Sequence, residues 1–201
     1  MMFVMKSRYT IHIVLILLTC LTTGCGNNSN KVDSENKESM TQRQKDLVSE
    51  GWYKPKSVPK GELSKEYGIK NKYGQQDNYF DIKVGNGCDV ALKILEATTD
   101  KCIRYVYVPE NTTVNIQMIP QGKYYLKLAY GKDWMEREKE DGTIIGKFTN
   151  NVSYDKSIDI FDFGKKNDSN VVNYTLSINV VNSELENNFN TISISEEEFM
   201  E

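Results

Sequence analysis

The sequence predicts a mainly β protein: an antiparallel β-sandwich of about seven or eight strands, preceded by a disordered tether. Two observations predict this class. From Tyr79 onward, apolar and polar residues alternate in short runs, and clusters of glycine, asparagine and proline separate the runs. Alternation with a period of two places the apolar side chains on one face, as a sheet buried on one side requires. Before this region lies a polar stretch with too little apolar surface to fold.

Residues 1–24 have the layout of a secretory signal peptide. Lys6 and Arg8 form a short basic start, Ile13 to Leu21 is an apolar run, and small residues lead to Cys25. The apolar run has about nine residues, whereas a transmembrane helix needs about 20. We therefore expect this segment to be removed after export.

The stretch "LTTGC", Leu21 to Cys25, resembles the lipobox of bacterial lipoproteins. In that family the cysteine thiol is joined to a diacylglycerol, and the cysteine becomes the new N-terminus. In the commonest form the leucine stands one place closer to the cysteine than Leu21 does. The resemblance implies a stable anchor of more than one acyl chain on Cys25. The alternative is an ordinary signal peptide with an incidental cysteine.

The lipoprotein resemblance also implies a location in the cell envelope. Gly26 and Asn27 follow the cysteine, without the aspartate that holds some Gram-negative lipoproteins at the inner membrane. We therefore expect the outer membrane rather than the inner one.

Charge and composition exclude several classes of function for the mature chain. Removing residues 1–24 takes away Lys6, Arg8 and the single histidine, His12, so that 23 basic residues face 28 acidic ones, a net charge of −5. Nucleic-acid binding needs a concentrated basic face and is not expected. Without histidine, a Ser-His-Asp triad, a Cys-His pair and an H-E-x-x-H zinc site are excluded. We expect no catalytic residue of these kinds, no cofactor and no metal.

The segment before the sandwich is predicted to be extended or disordered. Residues 25–48 comprise the lipidated cysteine and a stretch of mostly Asn, Ser, Lys, Glu and Gln, which we interpret as a disordered tether. A flexible coil of about twenty residues spans ~25 Å on average. Asp46 to Gly51 could add one turn of helix. Residues 49–76 contain prolines and glycines that favour an extended lead-in.

Residues 77–201 carry the strand pattern of the sandwich. The clearest predicted strands are Tyr79–Val84, Asp89–Leu95, Thr113–Met118, Tyr124–Tyr130 and Val172–Val180. Turn residues separate several of them, at Gly85–Gly87, Thr98–Asp100, Glu110–Asn111 and Pro120–Gly122.

One part of this region resembles a known family. The stretch "VPENTTVNIQMIPQGKYYLKLAYGKDW", Val108 to Trp134, is similar to carboxypeptidase-regulatory-like domains, which have the transthyretin-like (prealbumin-type) sandwich. The matching positions are Ile119, Pro120, Gly122, Tyr124, Leu126 and Gly131. The resemblance covers Tyr79 to Gly131. It implies a module that stabilises, displays or binds, and that is not itself the catalyst.

The candidate binding site is the segment from Gly131 to Asp141, predicted as a loop that projects from one end of the sandwich. It combines a tryptophan with charged residues, and Tyr125 is expected to face outward on the preceding strand. Rings and charges of this kind bind glycans or protein partners. The candidate ligand-binding residues are Trp134, Tyr125, Lys132, Asp133 and Arg137. In the alternative, Trp134 is buried and covers the open end of the sandwich.

We interpret two further groups of charged residues as solvated surface rather than as binding sites. Asp155, Asp159 and Asp162 could offer carboxylates to calcium, but we interpret them as solvated charges at a strand edge. "EREKED", Glu136 to Asp141, is interpreted as a solvated loop.

The two cysteines of the mature domain, Cys88 and Cys102, are predicted to be free and mostly packed. The expected hairpin turns near Thr98–Asp100, so that Cys102 lies close to the turn and Cys88 at the far end of its strand. Their Cα atoms are then much further apart than the ~7 Å limit for a disulfide.

The sequence thus predicts a lipid-anchored, non-catalytic binding or scaffold module of the bacterial cell envelope. Its expected partners are the membrane, through the lipid anchor, and an unidentified envelope protein or glycan. The alternative is a glycan-directed envelope hydrolase that uses carboxylates alone. Such an enzyme needs a cleft with two carboxylates about 5–10 Å apart.

Overall fold

The computed structural model describes residues 40–63, 65–165, 169–181 and 184–201. The predicted signal peptide, Cys25 and most of the predicted tether lie outside these ranges. The elements are α1 (Gln42–Ser49), β1 (Gly61–Glu62), a 3₁₀ helix (Lys65–Tyr67), β2 (Tyr79–Val84), β3 (Asp89–Glu96), β4 (Cys102–Val108), β5 (Thr112–Gln117), β6 (Lys123–Glu138), β7 (Ile144–Ser157), β8 (Phe161–Asp162), β9 (Tyr174–Val181), β10 (Glu184–Asn187), β11 (Thr191–Ser193) and α2 (Glu196–Met200).

The strands form two sheets packed face to face, so the predicted β-sandwich is confirmed. The large sheet has the order β1-β4-β3-β6-β7-β11, with β8 paired to β6, and the small sheet has the order β10-β9-β2-β5. All pairs are antiparallel except β2 with β9, which run parallel. The described strands outnumber the prediction because β1, β8, β10 and β11 are too short to show a periodic pattern.

The main core lies between the two sheets. The apolar residues that alternate along β2, Phe80, Ile82 and Val84, all point into it, as their spacing predicts. The ring of Phe80 lies 5.0 Å from the ring of Phe161. Met118 is the last residue of the predicted strand Thr113–Met118, and the alternation with Val114 and Ile116 predicts that it joins this core. It instead follows β5 with a positive φ of 56° and is exposed.

A second apolar cluster covers the opposite face of the large sheet. It contains Tyr107, Trp134, Phe148 and Phe199, with Phe199 contributed by α2. The central strands β3 and β6 are therefore buried on both faces. The alternation predicts a sheet that is buried on one side only, and this prediction is wrong for these two strands.

Strand β6 continues far beyond the predicted end at Tyr130. It pairs with β7 as far as Glu138, with a register shift between Tyr130 and Lys132. A Cβ at Gly131 would lie 2.6 Å from the Cβ of Phe148, so the close approach at this bulge requires glycine. The predicted loop from Gly131 to Asp141 is thus wrong: most of it is strand.

The N-terminal helix α1 begins inside the segment predicted as tether. Thr41 and Gln44 form a reciprocal capping box at its start. Leu47 is buried against Trp52 and Met135. This contact orders the chain from Gln42 onward, so the prediction of a disordered tether is wrong for the last residues of 25–48.

Arg104 of β4 attaches the lead-in segment to the large sheet. Its side chain is fully buried, and its Nε donates to Glu62 Oε1 at 3.1 Å. It also donates to the backbone carbonyl of Lys72, and its guanidinium lies 4.1 Å from the centre of the Tyr73 ring. A buried guanidinium needs several acceptors, and the lead-in supplies them.

No helix within the described ranges combines the length and the apolar character needed to cross a membrane.

Candidate functional site

Trp134, the centre of the predicted binding loop, is buried. It is 2% exposed, and its ring packs edge-on against Tyr107 and Phe148. Its Nε1 donates to Glu136 Oε1 at 3.0 Å. The prediction of an exposed tryptophan anchor is wrong. The alternative, a buried Trp134, is confirmed, although the ring covers the outer face of the large sheet rather than the open end of the sandwich.

The charged residues of the same segment contact different neighbours. Lys132 forms ion pairs with Glu110 at 2.8 Å and with Asp89 at 3.4 Å. These two ion pairs hold the start of β3 and the β4–β5 turn against β6.

The other two charged candidates, Asp133 and Arg137, lie against the N-terminal segment. Asp133 has a positive φ of 57° and lies 3.9 Å from Lys54. Arg137 stacks on Trp52 at 5.0 Å. Both contacts fasten the segment after α1 to the β6–β7 hairpin, so these side chains do not converge on a common ligand position.

Tyr125 lies at the other end of β6, roughly 30 Å from Trp134 at ~3.3 Å per residue. The structure therefore does not bring the five predicted residues together. Tyr125 faces outward on the large sheet, as predicted, but it is only 6% exposed. Its hydroxyl donates to Asp100 Oδ1 at 2.9 Å.

Tyr125 lines a cavity of about 520 Å³ on the outer face of the large sheet, beside α2. The cavity is bounded by side chains from β3, β6, β7 and α2 and from the turn after β3. The lining residues are Leu95, Asp100, Tyr125, Lys127, Lys156, Ser195, Glu197, Glu198 and Glu201.

A row of three lysines crosses the sheet next to this cavity. Lys93 of β3 lies directly opposite Lys127 of β6, and Lys127 lies directly opposite Lys156 of β7. Like charges at directly opposite positions repel each other and destabilise a sheet unless other groups compensate. Compensation for the first two comes from α2.

The carbonyl groups at the end of α2 accept hydrogen bonds from this row. Lys93 Nζ donates to the carbonyl oxygens of Phe199 at 2.7 Å and Met200 at 3.2 Å, and Lys127 Nζ donates to that of Glu198. Ammonium groups are favourable at the C-terminal end of a helix, where carbonyls lack intrahelical partners. Burial lowers the pKa of Lys93 to about 8.

Phe199 anchors α2 in an aromatic pocket of the sheet. It is 1% exposed, and its ring centre lies 5.5 Å from that of Tyr154 and 6.3 Å from that of Tyr105. At the start of α2, Glu196 pairs with Lys147 of β7 at 3.3 Å. One aromatic side chain and three lysines thus hold this helix.

The lysine row and α2 are the features that the sequence analysis missed. A signal for the row is present, because single lysines interrupt the apolar runs "VALKIL" and "YYLKLAY" at Lys93 and Lys127. These positions were assigned to a solvated face. A nearly continuous apolar run is more typical of a strand buried on both faces, where a lysine needs a partner.

The aspartates considered for calcium are not all solvated. Asp155 is buried and accepts hydrogen bonds from the hydroxyls of Thr191 and Ser193, at 2.9 and 3.3 Å, which fasten β11 to β7. Asp159 accepts from the backbone N–H of Asn190. Over the described ranges, no group of three or more His, Cys, Asp or Glu side chains could hold a metal ion.

Glu136 corrects the interpretation of "EREKED" as a solvated loop. It is buried in β6, where its Oε1 accepts hydrogen bonds from the Tyr67 hydroxyl at 2.5 Å and from the Trp134 indole. Both donors belong to structural contacts that cover the outer face of the sheet.

The prediction of free cysteines is confirmed. Cys88 is buried, Cys102 is half-buried, and neither forms a disulfide. Cys88 lines a second cavity of about 360 Å³, together with Tyr130 and Leu185. Burial raises the pKa of Cys88 to about 11, so the thiol is a poor nucleophile.

Comparisons with protein-family models, with curated proteins and with solved structures find no match to this chain.

Proposed function

We propose that this protein is a lipid-anchored, non-catalytic binding module of the bacterial cell envelope, with its ligand site in the cavity above Tyr125. The stretch Leu21 to Cys25 supports the anchor. The observation that carries the binding site is the cavity itself, which lies beside a row of lysines on three adjacent strands. Strands hold such groups more precisely than loops do.

The lining of the cavity suits a polar ligand. Lys156 Nζ lies 4.8 Å from the centre of the Tyr125 ring, so a cation and a π face are presented together. The Ser195 hydroxyl and the carboxylates of Glu198 and Glu201 add hydrogen-bonding groups. A peptide or glycan that both donates and accepts hydrogen bonds fits this mixture.

Glu197, one of the carboxylates that line the cavity, does not have the raised pKa of a general acid. Hydrogen bonds to its own backbone N–H and to Ser195 lower the pKa of Glu197. A hydrolase that uses carboxylates alone needs one acid whose pKa is raised, so that it is protonated at neutral pH. Glu197 is shifted in the opposite direction, so it does not supply this protonated acid.

Photo-crosslinking in living cells tests the proposed site. A photoreactive amino acid placed at Glu201 lines the cavity, and one placed at Glu186 on β10 is an exposed control on the small sheet. We expect a discrete covalent adduct only at position 201. A second change, Lys156→Glu, should abolish that adduct because it reverses the charge of the lining. Equal adducts at both positions, or an adduct that persists with Lys156→Glu, would contradict the site.

A further inference from the structure

The groove that holds α2 is defined here by four lysines, Lys93, Lys127, Lys147 and Lys156, together with the aromatic pocket that receives Phe199. Lys93, Lys127 and Lys147 make their polar contacts with α2. Lys156 lies in the neighbouring cavity, over Tyr125. The groove is therefore a basic surface occupied by an acidic segment of the same chain.

The contact between α2 and the groove has the form of a peptide bound to a receptor. A helix of 5 residues is too short to be stable in isolation, so the groove must order it. The segment supplies one buried aromatic ring, one carboxylate ion pair from Glu196 three positions earlier, and carbonyls that accept from lysines. An amphipathic helix that lies in a groove is recognised through anchors at this spacing.

Helix α2 fills only part of the surface formed by the groove and the cavity next to it. The cavity of about 520 Å³ continues the groove beyond α2 toward Lys156, Tyr125 and Asp100. A longer acidic segment would keep the contacts that α2 makes and add contacts with Lys156. These additional contacts would offset the advantage that α2 has as part of the same chain.

We propose that the groove binds an acidic segment of a partner protein, with an aromatic anchor three residues after a glutamate, and that this segment replaces α2. The inference rests on the proposed binding function and names the chemistry of its ligand, which occupies the cavity together with the position of α2. Ser195, Glu198 and Glu201 line the cavity only until α2 is displaced. The ion pair of Lys147 with Glu196 and the burial of Phe199 determine this choice. The positive charge of Lys156 lies further along the same surface and favours an acidic segment there. In the absence of the partner, α2 occupies the groove and keeps the lysines satisfied.

The experiment titrates a fluorescent synthetic peptide of residues 190–201 against the full chain and follows its anisotropy. In the Phe199→Ala variant the internal competitor is weakened, so we expect this variant to bind the peptide at least about tenfold more tightly than the wild type does. Adding Lys127→Met should reduce binding by about tenfold or more, because a charge-assisted contact is lost. Lys83→Met, on the exposed face of β2, is the matched control and should have no effect.

Circular dichroism establishes that each variant is folded. If Phe199→Ala unfolds, Glu196→Gln takes its place, because it removes the ion pair with Lys147 and leaves Phe199 in its pocket. Failure of the peptide to bind a folded variant, or an equal loss with Lys83→Met and Lys127→Met, would overturn the inference. A wild-type dimer that Phe199→Ala dissociates would assign the groove to α2 of a second copy and would also overturn it. An adduct at position 201 without peptide binding would reject the peptide chemistry and leave the binding module intact.

Discussion

At the scale of single residues, Lys93 gives this fold a measurable dependence on pH. Burial lowers its pKa from 10.5 to about 8, whereas the unfolded chain keeps the ordinary value. Between these two values the unfolded state binds more protons than the folded state, so the free energy of unfolding rises with pH. Well below pH 8 both states are protonated, and this group adds no slope.

The Lys93→Met variant isolates this effect, because the raised pKa values of the buried tyrosines act equally in both proteins. We expect the stability of the wild type, relative to the variant, to rise by roughly 2–4 kcal/mol between pH 8 and 10.5. Urea unfolding at a series of pH values measures the difference. Parallel pH profiles for the two proteins would show that Lys93 keeps its ordinary pKa in the folded state.

At the scale of elements, the β6–β7 hairpin depends on one glycine beneath a tryptophan. A Cβ at Gly146 would lie 2.0 Å from an atom of the Trp134 ring, so Gly146→Ala must displace the ring. We expect Gly146→Ala to cost ~1–3 kcal/mol of stability and Trp134→Ala to cost ~3–5 kcal/mol. In a double-mutant cycle measured by thermal unfolding, Gly146→Ala should cost little stability in a protein that already carries Trp134→Ala. Additive losses would mean that the two positions do not share this contact.

The sequence predicts both ends of strand β2 correctly. The bounds of β2 match the prediction, because Asp81 and Lys83 mark a face outside the core. The extension of β6 beyond Gly131 was missed because charged residues there resemble a loop. Their partners lie in segments distant along the chain, such as Asp89 for Lys132 and Trp52 for Arg137. Local patterns carry no information about such partners, and the groove beneath α2 was missed for the same reason.

At the scale of the whole molecule, the proposed lipid on Cys25 gives a test of membrane attachment. The stretch Leu21 to Cys25 resembles a lipobox, in which this thiol carries the lipid. We therefore expect Cys25→Ser to abolish incorporation of a labelled fatty acid and to release the protein from membrane pellets. We expect the melting temperature of the purified domain to stay the same, because Leu47, Trp52 and Met135, which order the start of the domain, all lie well after Cys25 in the sequence.

Cys20→Ser is the matched control for this experiment, because Cys20 lies inside the apolar run of the same signal segment. It should leave both the label and the membrane association unchanged. Fatty-acid label that persists in Cys25→Ser would refute the lipobox interpretation, whatever the distribution of the protein.

The parallel pairing of β2 with β9 sets the order in which the chain can fold. Strand β2 lies between β5 and β9 in the small sheet, and its register aligns Phe80 with Tyr174. Most of the chain must therefore leave the ribosome before this sheet can close. Contacts between such distant segments slow folding, because a long loop must be closed before any of them forms. A newly made chain thus stays unfolded for longer than one whose strands pair only with their neighbours. An unfolded chain can pass through an export channel, which suits a protein proposed to be exported before it folds.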